Sequence, residues 1–235
     1  MPASDEQTST DTTNTPAEIS EAFRFDGTPV DPARLDAVIS DFAAISGVGY
    51  LTRTGTVPTS GNAHYEGIGT VAARVGQRAS TDGSSPENIF NYYAGHADLD
   101  ASFRASGPAI DGTVSDFIAA QLTGAVINEF YYDLERAGSD EPSIRRVFGW
   151  YIDDPEQVDG TLTLSSQSGD ATVAVVGRLT HGSHTADVSG ALRPQFHGSS
   201  AEAVQLYYRS DDNVPAPSLI YDGDPRNASI AVVAK

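Results

Sequence analysis

The chain of 235 residues contains no cysteine, only one methionine and only one tryptophan. The absence of cysteine excludes a disulfide framework, a zinc–thiolate site, an iron–sulfur cluster and a cysteine nucleophile. No apolar run approaches the ~20 residues that a membrane-spanning helix needs, so we expect no transmembrane segment. Met1 is followed at once by a polar tract, so no signal peptide is visible and any leader is absent from this chain.

Basic side chains are also scarce, with 14 Lys and Arg against 32 Asp and Glu, for a formal net charge of −18. Such a chain repels phosphate backbones and anionic lipid surfaces, so we expect no nucleic-acid partner. It attracts cations or a basic protein surface, although the same charge also serves simply to keep an acidic surface soluble. Hydrophobic residues make up 39% of the sequence, which is enough to form a real core.

The first 55 residues predict two different segments. Residues 1–22 are rich in Ser, Thr, Asp and Pro and nearly free of apolar side chains, which predicts a flexible tether. Within residues 23–55, Asp31 is a candidate N-cap and Pro32 suits the first helical position. Apolar residues then follow at helical spacing up to Gly47, which predicts a helix that packs on the rest of the fold.

From residue 62 onward the apolar pattern changes to period two, which predicts short strands separated by turn residues. The candidate strands are 65–75, 97–105, 110–117, 122–132, 147–152, 158–165, 171–179, 185–192, 203–208 and 229–234. Strands at this spacing are typical of a β-sandwich or a β-barrel. Several of them contain an internal glycine, such as Gly67, Gly69 and Gly112, and glycine permits the strong bending that a small closed barrel requires.

Two stretches are less regular. Residues 128–154 predict an extra hairpin with an exposed tip at 136–142 and several aromatic residues on its flanks. Residues 211–227 are rich in Pro and Asp and predict a long loop before the last strand.

Several short motifs in 56–235 occur in an order that resembles the transferrin-binding-protein-like β-barrel domain. They are Val57-Pro58-Thr59-Ser60-Gly61, Ala63-His64-Tyr65-Glu66-Gly67, Ile110-Asp111-Gly112-Thr113-Val114-Ser115-Asp116-Phe117, Phe196 to Val204, and Ala228 to Lys235. The chain departs from the family pattern at His197, where the family has Tyr, and at 204–206, where it lacks the usual glycine pair. Residues 128–154 have no counterpart in that pattern.

The resemblance implies a mainly β fold, an antiparallel eight-stranded β-barrel over 56–235. The N-terminal helix and the extra hairpin, which the residues themselves predict, are additions to it. It also implies a surface-exposed or secreted bacterial binding protein, often lipid-anchored at the outer membrane, that recognises a protein partner through barrel loops, in some members for iron acquisition. Two alternatives stay open: a carrier of haem or another small ligand, and a structural or adhesion module of the cell surface. The family's binding residues lie on variable loops, so none is carried over to this chain.

Two sets of residues are candidates for binding. Tyr131, Tyr132, Trp150 and Tyr151 could anchor a protein partner, because aromatic side chains dominate interfaces. His181 and His184 stand three residues apart in an apparent turn and are candidate haem contacts. The sequence contains no G-x-S-x-G elbow, no P-loop, no dinucleotide fingerprint and no EF-hand spacing, so we expect neither a catalytic site nor a dedicated metal site.

Overall fold

The computed structural model describes residues 26–48, 53–54, 56–78, 85–208 and 216–235, and the predicted tether at 1–22 lies outside them. Within these residues the chain is mainly β, with ten strands and three helices. The strands are β1 (Gly61–Arg78), β2 (Glu87–Phe103), β3 (Ala109–Thr123), β4 (Glu156–Gln157), β5 (Asp159–Ser165), β6 (Val173–His181), β7 (His184–His197), β8 (Ala203–Tyr207), β9 (Ser218–Tyr221) and β10 (Asp224–Ala234). The helices are α1 (Pro32–Ile45), α2 (Gly124–Ala137) and α3 (Glu141–Tyr151).

Eight strands close into an antiparallel barrel, which confirms the predicted fold. The hydrogen-bonded order is β1-β2-β3-β5-β6-β7-β8-β10, and β10 pairs back with β1 to complete the ring. The two extra strands are short. Strand β4 pairs with β3. Strands β8 and β9 occupy the same place in the ring, because each of them pairs with β7 and with β10. The first part of β7 pairs with β9 and its second part pairs with β8.

The interior of the barrel is filled by side chains that alternate inward along each strand. Val71, Tyr93, Leu99, Phe117 and Leu206 are among the residues with no exposed surface. The strands approach closely at Gly112, where a Cβ atom would lie 2.2 Å from the Asp98 carbonyl oxygen. The lumen is therefore a packed core.

The three helices form a layer on the outside of β1, β2 and β3. Helix α1 begins where the Asp31 carboxylate accepts a hydrogen bond of 2.8 Å from the Ala33 amide, as its sequence predicts. The layer buries a second apolar core, in which Val38, Ile39 and Phe42 of α1 join residues of the other two helices and of the barrel's outer wall. This wall is apolar at positions such as Ile68 and Tyr92, where a solvated strand face would be polar.

The hairpin at 128–154 consists of helices, so the predicted strands at 122–132 and 147–152 are wrong. Helix α2 starts at the N-cap Thr123, and α3 starts at the N-cap Asp140. Between them the chain turns at Gly138, whose φ of 60° is readily available to glycine. The predicted loop at 211–227 is also partly wrong, because Ser218–Tyr221 forms β9 and the following turn leads directly into β10.

Candidate functional site

A groove lies between the helical layer and the outer wall of the barrel, with a cavity volume of about 320 Å³. Its floor includes Ile68 of β1 and Ala231 and Val233 of β10, and its sides include Phe42, Ile45 and Leu134 of the helices. We call this site the groove. Pockets that bind small ligands are typically apolar concavities of about 300 to 1,000 Å³, so the groove lies at the lower end of that range.

Two local features of the sequence build the groove. The pairing of β1 with β10 places Ile68 opposite Val233 and Thr70 opposite Ala231, and so presents small and apolar side chains on the outer wall. Helix α1 ends at Ile45, and the chain turns away at Gly47 with a φ of +85°. The helical layer therefore stops short of covering β10, and the strand pair remains accessible at its edge.

Polar groups stand at one side of the groove, around Tyr131. The Tyr131 hydroxyl lies 3.0 Å from the Tyr92 hydroxyl, and the two form a hydrogen bond. Burial raises the pKa of both Tyr131 and Tyr92, so both hydroxyls stay protonated at neutral pH. Glu135 lies one turn further along α2 and carries a negative charge. The described residues that line the groove include neither Lys nor Arg. These groups favour an uncharged or positively charged ligand over an anion.

The predicted haem contacts lie elsewhere, at one end of the barrel beneath a segment of residues 26–30 that we call the strap. The Asp26 carboxylate accepts hydrogen bonds from the Ser183 amide (3.0 Å) and hydroxyl (2.8 Å), which fixes the strap to the β6–β7 turn. The Gly27 amide donates to the Glu156 carboxylate at 2.8 Å. Further along, the Val30 amide donates to the Pro155 carbonyl, so the strap closes this end of the barrel.

His181 and His184 are brought together under the strap, with ring centroids 5.3 Å apart. His181 is 2% exposed, and its Nε2 atom lies 3.0 Å from the Tyr93 hydroxyl. Its Nδ1 atom is 3.5 Å from Oε2 of Glu156, which is itself buried. Burial, together with the nearby His184, lowers the pKa of His181 to about 4, so the ring is neutral at pH 7.

The surroundings of the two histidines do not favour a haem site. His184 hydrogen-bonds the Asp222 carboxylate through Nδ1 at 2.7 Å and stacks on the Tyr221 ring. The space beside His181 measures about 100 Å³, well below the roughly 300 Å³ at which ligand pockets begin. Haem binding stays a prediction that no contact in the structure supports. In the described part of the chain, no three His, Asp or Glu side chains are grouped to hold a metal ion.

The four aromatic residues predicted to bind a partner divide into two pairs. Tyr131 contacts Tyr92, and the Tyr151 hydroxyl donates to the Asp133 carboxylate at 2.7 Å, so both contribute to internal packing. Tyr132 and Trp150 point outward and are 59% and 63% exposed. They are therefore the most exposed members of the predicted set, followed by Tyr131, which lines the groove and is 41% exposed.

Comparison with known proteins gives no further guide, because no family model, no curated protein and no solved structure matches this chain. The resemblance to transferrin-binding-protein-like domains stays a prediction. The helices within the described ranges are all too short or too polar to cross a membrane.

Sequence reasoning missed the groove, although part of its signal was present. Ile68 and Val233 are apolar at outward positions of strands, where period-two alternation predicts polar side chains. Two such residues indicate a covered or ligand-binding wall. Their pairing across strands 165 residues apart in sequence became visible only in the fold.

Proposed function

We propose that this protein binds a small apolar ligand in the groove, with the filled barrel as a rigid scaffold. The observation that supports this proposal is an accessible concavity with mainly apolar walls between two well-packed layers. A core that only had to be stable would fill such a space, because apolar surface left in contact with water costs about 25 cal/mol per Å². A ligand that occupies the groove recovers this free energy on binding.

The walls restrict the class of ligand. A volume of about 320 Å³ suits a compact hydrophobic molecule or one short chain of an amphiphile. Glu135 at the rim and the hydroxyl of Tyr131 offer hydrogen-bond partners to a polar or cationic head group. A ligand that carries a carboxylate would meet no basic side chain among the described lining residues and is disfavoured.

A fluorescence titration tests the proposal with N-phenyl-1-naphthylamine, an uncharged apolar probe that brightens in apolar surroundings. We expect saturable binding to one site in the natural protein. Ala231→Phe places a ring in the groove and should weaken binding by roughly tenfold or more, because the probe would lose its contacts with the groove floor.

The matched control is Val176→Phe, which adds a ring at an exposed strand position outside the helical layer. This variant should bind the probe as the natural protein does. Probe binding that is unchanged in Ala231→Phe, or that never saturates in the natural protein, would contradict the proposal. Far-UV circular dichroism verifies that both variants are folded.

A second candidate function is recognition of a protein partner by the outward face of α2 and α3, on a protein displayed at the outer-membrane surface or secreted. The specific observation is the exposure of Tyr132 and Trp150, because large aromatic residues are enriched among the few side chains that dominate binding energy. A pull-down from host serum with the natural protein, Tyr132→Ala and Trp150→Ala tests this. A partner that both variants lose supports the proposal, and a partner that both retain opposes it.

A further inference from the structure

A second concavity, separate from the groove, lies where strands β1 and β10 diverge. The two strands pair from Gly67–Ala234 as far as Ala73–Ala228, and no pairing follows beyond that point. The divergence leaves a cleft of about 350 Å³ between residues 74–77 of β1 and 225–227 of β10. The residues that line this cleft are mostly polar, and none of them lines the groove.

Two arginines line the cleft, and their hydrogen-bonding capacity is largely unused within the described chain. Arg74 is half-buried and forms no hydrogen bond or ion pair with a described residue. Arg226 donates from Nη2 to the Asp224 carboxylate at 3.2 Å, but its Nε atom is buried without a hydrogen-bond partner. A buried donor without an acceptor is costly, so this geometry is matched to an acceptor from outside the chain.

Arg74 is half-buried, whereas Arg104 and Arg146, two other described arginines without a carboxylate partner, are exposed. Acidic residues outnumber basic ones by 32 to 14, so carboxylate partners are abundant. Arg34 lies 3.6 Å from Asp116, and Arg178 donates to Asp187 at 2.9 Å. Arg74 has no such carboxylate partner and Arg226 keeps an unused Nε donor, so both can bind an external anion.

We propose that the cleft binds a small oxyanion, a carboxylate or phosphate group, between Arg74 and Arg226. The guanidinium group presents several N–H donors in a planar fork that matches the oxygens of these anions. The negative charge of the rest of the protein does not prevent this contact. At physiological ionic strength the Debye length is about 8 Å, so distant carboxylates are screened while direct contacts are not.

Nuclear magnetic resonance of the arginine Nε–Hε groups tests the proposal directly in the full-length, 15N-labelled protein at pH 7. Inorganic phosphate and sodium acetate are titrated separately, with sodium chloride at matched ionic strength as the reference. We expect the signals of Arg74 and Arg226 to shift saturably, while the signal of Arg178, which is paired with Asp187, does not. Tighter binding of phosphate identifies a phosphate group as the preferred ligand, and tighter binding of acetate identifies a carboxylate.

Substitutions provide the second part of the test. Arg74→Gln and Arg226→Gln should each weaken anion binding by roughly tenfold or more, because each removes charge-assisted hydrogen bonds. Arg178→Gln is the control and should leave the affinity unchanged. The proposal is overturned if neither anion shifts the Arg74 and Arg226 signals beyond the chloride reference, or if binding persists in both cleft variants. Binding of the naphthylamine probe in the groove should be the same in all three variants, so the two proposals fail independently.

Discussion

Replacing His181 by Gln should make the protein less sensitive to acid. His181 is neutral and buried under the strap, and its pKa of about 4 lies well below the 6.5 of an unperturbed histidine. As the pH falls, His181 is protonated near pH 6.5 in the unfolded chain but only near pH 4 in the folded protein. Between pH 6.5 and pH 4 the free energy of unfolding therefore decreases as the pH falls. Below pH 4 His181 causes no further decrease.

The size of the effect follows from the difference between the two pKa values. A difference of about 2.5, at roughly 1.4 kcal/mol for each pKa unit, corresponds to a loss of about 3 kcal/mol in the free energy of unfolding between pH 7 and pH 4. Glutamine does not titrate, and its amide can still hydrogen-bond the Tyr93 hydroxyl. Glu156 and Asp26, whose pKa values are also shifted, are present in both proteins, so most of their contribution to the pH dependence of stability cancels in the comparison.

The assay is urea unfolding followed by far-UV circular dichroism at several pH values between 7 and 4. The decrease in unfolding free energy over this range should be smaller in His181→Gln than in the natural protein by about 3 kcal/mol. His64→Gln is a control whose effect on the pH dependence of stability should have the opposite sign. The hydrogen bond to Asp100 raises the pKa of the exposed His64, so His64 contributes stability that is present below pH 6.5 and lost above it. Parallel pH profiles for the natural protein and His181→Gln would refute the reasoning.

Three further predictions concern stability and can be measured by the same urea assay at pH 7. Phe130→Ala should lower the free energy of unfolding by about 3 to 5 kcal/mol, because Phe130 is fully buried and its ring packs edge-on against Phe42 and Phe148. A decrease of less than about 1 kcal/mol would contradict its central place in the second core. Gly149→Ala should stabilise the protein by up to about 1 kcal/mol, since Gly149 lies inside α3 with open space around the added methyl group, and a loss of stability would oppose this. Gly160→Ala should destabilise it, because Gly160 has a φ of +121° and a Cβ there would lie 2.0 Å from the Arg178 carbonyl oxygen; an unchanged midpoint would show that this strand approach is looser than described.

The barrel could be predicted because its determinants are local. Along strands such as Val173–His181, buried and exposed residues alternate, and the sequence shows this as apolar and polar residues with a period of two. Glycines at close strand approaches, of which Gly112 is one, supplied the indication of closure. The exact number of strands came from the family resemblance, because period-two alternation is equally compatible with a sandwich and a barrel.

The helical hairpin shows where local reasoning failed. Its aromatic and β-branched residues favour strands by intrinsic preference, and that preference led to the predicted strands at 122–132 and 147–152. The spacing of Ile127, Phe130, Leu134 and Ala137 is helical, and caps were present at Thr123 and Asp140. Tertiary packing against the barrel outweighed the intrinsic preference, since the hairpin buries one continuous face against the outer wall.

The candidate sites depended more strongly on the fold. The pairing of His181 with His184 followed from their spacing in a tight turn, but their burial under the strap depends on Asp26, about 155 residues away in sequence. The groove and the anion cleft form between strands from opposite ends of the chain. Apolar residues at outward strand positions indicate a covered wall, but the shape of a cavity depends on how distant parts of the chain pack together.

The most direct test of the central claim, that ligands bind outside a filled barrel, is an intermolecular nuclear Overhauser experiment on methyl-labelled protein saturated with N-phenyl-1-naphthylamine. The account predicts contacts from the probe to methyl groups of Ile45, Ile68 and Val233 in the groove. It predicts none to methyl groups of the barrel interior, such as those of Leu99 and Val232. Contacts to the interior methyl groups, or contacts to neither set, would contradict it.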